Sequence, residues 1–104
     1  MITLVARDDK FVEELSVFKQ ITTKMTDIFA KKRHDYGQST RETYDKFGMV
    51  SFLVRMHDKL SRLDTLVMKE LTPAVDESID DTLLDLANYC VIALLEKEMR
   101  KNGK

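Results

Sequence analysis

Hydrophobic positions recur at steps of three and four along three separate stretches of the chain, the spacing of one face of an α-helix. In the first stretch the stripe is Phe11, Leu15, Phe18, Ile21, Met25, Ile28 and Phe29, and Asp8 or Asp9 is placed to cap its start. The pattern runs out in Lys31-Lys32-Arg33-His34-Asp35-Tyr36-Gly37. Basic side chains there suit the unpaired carbonyls of a helix end, and glycine suits a stop. Residues 38–48 are polar, with Tyr44 and Phe47 as the large apolar groups. They predict a loop carrying at most a short helical turn from Thr40 to Lys46. A second helix is predicted from about Met49 to Glu70, with Phe52, Leu53, Met56, Leu60, Leu63 and Val67 as its apolar face. Thr72-Pro73-Ala74-Val75 interrupts the pattern, since proline disfavours a continuing helix. Asp76 or Ser78 then caps a third helix reaching about Arg100, with Ser78 and Asp81 as a capping-box-like pair. Its core seam is Ile79, Leu83, Leu86, Cys90 and Ala93.

These elements predict an all-α fold of three long helices plus a short one, in a single domain over residues 1–104. Residues 1–8 form an N-terminal arm, in which Ile2 to Ala6 could also make a short strand, and residues 101–104 form a frayed tail. Composition agrees with this picture. Hydrophobic residues make up 43% and charged residues 34%, which excludes a disordered chain. Three glycines and one proline leave few turns for a many-stranded sheet. A formal net charge of −1 gives no reason to expect a nucleic-acid partner. No apolar run approaches the roughly 20 residues that span a bilayer, and no signal-peptide pattern opens the chain, so no membrane partner is expected. The lone Cys90 on the predicted core seam reads as a reduced packing residue, which fits a cytoplasmic location. Three helices in a chain this short make a thin core, and six methionines suit adaptable contacts. A homo-oligomer, dimer or higher, is therefore expected.

Charge patterning adds candidate chemistry. At about 100° per residue, Glu77, Asp81 and Asn88 fall along one stripe of the third helix, with Asp80 and Asp85 on its shoulders. Glu77, Asp80 and Asp81 would be favoured in a first turn by the helix dipole alone. Asp85 and Asn88 lie further in, beside the core seam, where capping does not explain them and a partner is required. On the second helix Arg55, Lys59 and Arg62 align at steps of four and three, with Asp58 as the one acid beside them. An interhelical ion-pair network would use these residues. So would a site in which the cations hold phosphate oxygens while Asp58, Glu77, Asp80 and Asp81 hold Mg²⁺. Lys32 through Gly37 is, in its plainest reading, a solvated helix end; in the functional one Tyr36 stacks on a base while Lys32 or His34 reaches a phosphate. His57 reads as a boundary residue, and two histidines with one cysteine cannot build a zinc site.

Three segments carry a resemblance. His34-Asp-Tyr-Gly37, Arg55-x-x-Asp58-Lys59-x-x-Arg62-Leu63, and Glu77-Ser-x-x-Asp81-Thr-Leu-x-Asp85-Leu-Ala-Asn88-Tyr89 follow in order. Over about residues 25 to 95 the chain resembles the small, mostly phage-encoded proteins called nucleotide modification associated domain 1. That family in turn looks like a branch of the MazG-like all-α nucleoside triphosphate pyrophosphohydrolases. The resemblance implies a MazG-like helical bundle completed by oligomerisation. It also implies Mg²⁺ on a Glu-x-x-Glu motif of one helix and a Glu-x-x-Asp motif of the next, with cleavage between the α- and β-phosphates. This chain departs from that pattern, because its second helix has no Glu-x-x-Glu and offers Asp58 followed by Lys59 and Arg62. Glu77 and Asp80 keep the Glu-x-x-Asp spacing, whereas Asp81 as the aspartate would leave Ser78 in the glutamate slot.

Three functions follow as expectations. The first is a Mg²⁺-dependent nucleotide pyrophosphohydrolase of phage type. In it Asp58, Glu77, Asp81 and Asp85 serve catalysis, and Lys32, His34, Tyr36, Arg55, Lys59, Arg62, Asn88 and Tyr89 bind substrate. The second is a binder that does not hydrolyse its ligand and sequesters a nucleotide signal of host defence, a cyclic one included. Its cations hold phosphates, and Tyr36, Tyr44 or Tyr89 stacks on the base. The third is a helical oligomer whose charged stripes are ion pairs.

Overall fold

The computed structural model describes residues 9–101, with backbone alone for residues 34–37. Three helices are present among them: α1, Asp9–Phe47; α2, Val50–Val67; and α3, Pro73–Lys101, with no strand. The expected arm over residues 1–8 and the tail beyond Lys101 lie outside the described residues.

Three boundaries differ from the sequence expectation: α2 ends at Val67 and not at about Glu70, and two others differ for local reasons. α1 does not stop at Gly37 but runs unbroken to Phe47, 39 residues in all. A glycine inside a helix costs only about 1 kcal/mol, which tertiary contacts readily offset. Those contacts are polar and therefore invisible to hydrophobic periodicity. Thr40 is buried, Arg41 Nε lies 3.4 Å from Glu96 Oε2, and Arg100 pairs with both Asp45 and Glu96. The Arg100 guanidinium also stacks 4.4 Å from the centre of the Tyr44 ring. Burial pulls down the pKa of Arg100, but hydrogen bonding and charge from Glu96 and Asp45 outweigh it and hold the group above its ordinary value. The stop falls instead at Gly48, whose φ of 68° is the left-handed conformation that closes helices. Its N–H donates to the Tyr44 carbonyl at 2.7 Å.

α3 begins three residues before the earliest expected cap. Thr72 Oγ1 accepts the Val75 N–H at 3.2 Å, and Pro73 takes the first helical position, where its missing N–H costs nothing. The proline that ends one pattern thus starts the next helix. Asp76 is the acid of the first turn, and Glu77, Asp80 and Asp81 lie further along the helix. Ser78 and Asp81 do not cap; Ser78 supplies its carbonyl to the Thr82 hydroxyl at 2.7 Å.

α2 and α3 pack antiparallel as a hairpin, and α1 crosses both. The centre is small: Phe52, Ile92 and Ala93, flanked by Phe29, Tyr44, Met56 and Tyr89. Tyr44 and Phe52 meet with ring centres 5.6 Å apart. Much of the expected core faces outward within one chain. Leu53, Leu60 and Val67 of α2 and Leu83 of α3 are about half exposed, between 46% and 60%. Cys90 is exposed rather than buried, with Sγ 3.7 Å from Met56 Sδ. The radius of gyration, 16.8 Å, exceeds the roughly 13 Å of a compact chain this long. No helix among the described residues is long and apolar enough to cross a membrane.

Phe52 is the one large side chain fully buried in this small centre. Phe52→Ala is expected to lower the unfolding free energy by about 3–5 kcal/mol in urea titration. Val67→Ala, at a site 60% exposed in one chain, should cost much less unless a second chain covers it.

Candidate functional site

The cationic stripe of α2 faces α3, and the antiparallel hairpin turns it into a ladder. Going down α2 and up α3, Arg55 stands over the Tyr89 ring, with 6.0 Å from Cζ to ring centre. Lys59 Nζ is 3.2 Å from Asp85 Oδ2, and Arg62 Nε donates to Thr82 Oγ1 at 3.3 Å. Steps of four and three on α2 meet steps of four and three on α3, so each cation finds one partner. Lys32 of α1 reaches the same carboxylate from the other side, 3.4 Å from Asp85 Oδ1. Asp85 is thus shared by two lysines on two different helices. This is the cationic answer that its position beside the core demands.

The remaining expected site residues are not gathered here. Asp58, Glu77, Asp80 and Asp81 are exposed. Among the described residues no three histidine, cysteine, aspartate or glutamate side chains converge as a metal would require. Asn88 is buried and donates from Nδ2 to the Met25 carbonyl at 3.3 Å, joining α3 to α1 at the floor of an apolar groove of about 210 Å³. Tyr89 is half-buried under Arg55. The side chains of His34 and Tyr36 lie outside the described residues.

An open groove of about 500 Å³ runs along α2 beside the ladder, lined by Asp58, Lys59, Ser61, Arg62, Thr65, Leu66 and Lys69. Three cations and two hydroxyls stand against a single acid. Lys69 was not among the residues singled out by sequence. It lies seven residues beyond Arg62, on the same stripe, but Leu66 interrupts the run of charges and Lys69 follows the last full turn of α2. Glu96 was also missed. It is a fully engaged acid between Arg41 and Arg100, about three turns beyond Asp85, the last acid of the stretch that draws attention.

The chain matches the model of one protein family, nucleotide modification associated domain 1, over residues 32–96, a span that holds the whole ladder and the groove. It belongs to that family. No curated protein and no solved structure matches it.

Because Asp85 and Lys59 are partly exposed, their pairing is worth little to stability. A double-mutant cycle with Asp85→Asn and Lys59→Met, read by urea denaturation, should give a coupling below about 1 kcal/mol. A coupling of several kcal/mol would mean that the ladder exists to hold the hairpin together.

Proposed function

We propose that this protein is a nucleotide binder that holds phosphate oxygens directly with Lys59, Arg62 and Lys69 in the groove along α2. One observation carries the reading: the groove gathers three cations and the Ser61 and Thr65 hydroxyls against Asp58 as its only acid. Its volume, about 500 Å³, is within the range of small-molecule sites. Lysine and arginine supply charge-assisted donors to phosphate, and hydroxyls complete the oxygens that the cations do not reach. Arg55 lines a neighbouring groove on the same helix with Asp58, and Lys32 pairs with Asp85; Tyr36 or Tyr89 is assigned to the base, and Lys32 or His34 to a phosphate. Membership of a family described by nucleotide modification supports the ligand class. Asp85 then acts as a resident counter-ion that keeps two lysines in place while no phosphate is bound.

The MazG-like resemblance favours a Mg²⁺-dependent pyrophosphohydrolase, and the phage-type members it includes favour a role in sequestering a nucleotide signal, cyclic or linear. The groove speaks for the binder, since Glu77, Asp80 and Asp81 are exposed on α3 and do not line it. A metal-dependent reaction would need further acids, which a second copy would supply. A second copy is part of the proposal for a separate reason. Leu53, Leu60 and Val67 of α2 and Leu83 and Cys90 of α3 are exposed apolar residues at seven-residue steps on each helix, which a homo-oligomer would cover.

A thermal-shift screen with mono-, tri- and cyclic nucleotides, with and without Mg²⁺, tests the ligand. At about 100 times its Kd a true ligand stabilises the fold by about 2.7 kcal/mol. The expected result is a shift that survives EDTA, shrinks in Lys69→Met and Arg62→Met, and leaves the nucleotide intact. Pyrophosphate release that requires Mg²⁺ would replace the binder by the hydrolase. No shift with any nucleotide would leave the charged stripes as interhelical ion pairs of a structural oligomer.

A further inference from the structure

The apolar seam of α1 continues past the point where its own chain covers it. Phe11, Leu15, Phe18, Thr22, Met25 and Phe29 recur at alternating steps of four and three, the spacing of a two-helix coiled-coil seam. Thr22, Met25 and Phe29 are matched by α3 across the groove floored by Asn88. N-terminal to them, every residue from Val12 to Ile21 is exposed, and the apolar ones range from 40% at Leu15 to 68% at Phe18. That segment amounts to about 15 Å of helix whose apolar side no other described residue covers. An isolated helix of such length is marginal in water, so something must cover it.

We infer that this segment of α1 pairs antiparallel with the same segment of a second copy. The sequence is self-complementary in that direction. Setting Leu15 against the partner's Phe18 also brings Phe11 to the level of the partner's Thr22, at the edge of the part that α3 covers. The two-fold axis then passes between Ser16 and Val17. These are the layers that an antiparallel seam requires, each position of one kind facing one of the other. Charge selects the same direction. The first half carries Asp9, Glu13 and Glu14 with Lys10, and the second half carries Lys19 and Lys24 with no acid before Asp27. Antiparallel pairing lays the acidic half on the basic half and opposes the two helix dipoles, whereas parallel pairing lays like on like. The contact is isologous and closes on itself. It is separate from the apolar face of α2 and α3 and does not depend on the nucleotide reading. If both faces pair, two two-fold contacts on one chain build a tetramer.

Cross-linking tests the register. In a Cys90→Ser background, Phe11→Cys/Thr22→Cys is expected to form a covalent dimer on mild oxidation, while neither single variant does. Like positions on antiparallel partners sit 11 residues apart, about 16 Å along the axis, beyond disulfide reach. Dimers from the single variants would mean parallel pairing, and no dimer from the double variant would mean no pairing of this segment. Leu15→Glu/Phe18→Glu provides a second reading by light scattering. The expected mass is half that of the wild type with helix content retained by circular dichroism, and an unchanged mass overturns the inference.

Discussion

A carboxylate set three turns into a helix and beside the core must be answered by positive charge, and Asp85 is answered twice. Lys59 comes from α2 and Lys32 from α1, so one side chain of α3 ties all three helices to a common point. The antiparallel hairpin extends that point into the rungs Arg55 to Tyr89 and Arg62 to Thr82. Two lysines on one acid leave positive charge in excess at the ladder. The excess grows along α2, where Lys69 joins Lys59 and Arg62 on the wall of the open groove. Phosphate is the chemistry that such a wall fits, and membership of the nucleotide modification associated domain 1 family is consistent with that assignment.

A second charged cluster does structural work at the other end of the molecule. Glu96 is buried between Arg41 and Arg100, and Arg100 in turn holds Asp45 and covers the Tyr44 ring. This clamp ties the C-terminal end of α1 to the C-terminal end of α3. The two clusters differ in what they leave over: Glu96 and Asp45 face two arginines, and the charges balance. Around Asp85 they do not, which is why we propose the ligand there.

Helix periodicity made the all-α class, the second helix and most of the third legible in the sequence. It could not show the stretch from Gln38 to Phe47 as helix, because Thr40, Arg41 and Asp45 anchor that segment through polar groups that a hydrophobic pattern ignores. Gly37 and Gly48 are equal as letters, and only the contacts beyond Gly37 decide which one stops the helix. Pro73 reads as a breaker or as a first helical residue depending on Thr72, whose cap is a three-residue signal that a break in periodicity overshadows. The seams of Leu53, Leu60 and Val67, and of Leu83 and Cys90, are real, but within one chain they lie outside. A seam reports that a surface is to be covered and does not say by which molecule. At the candidate site, the pairing of Asp85 with a cation and the cationic stripe of α2 were legible. The exposure of Glu77, Asp80 and Asp81 was not, since it follows from how α3 packs and not from their spacing.

The central claim is that phosphate is held by side chains and not through a metal. Isothermal titration calorimetry of the intact protein in EDTA, with the nucleotide that shifts its melting temperature and at two salt concentrations, tests it most directly. The account predicts saturable binding whose affinity falls as salt rises, because cations and phosphate are partly screened. Binding that vanishes in EDTA and returns with Mg²⁺ would contradict it.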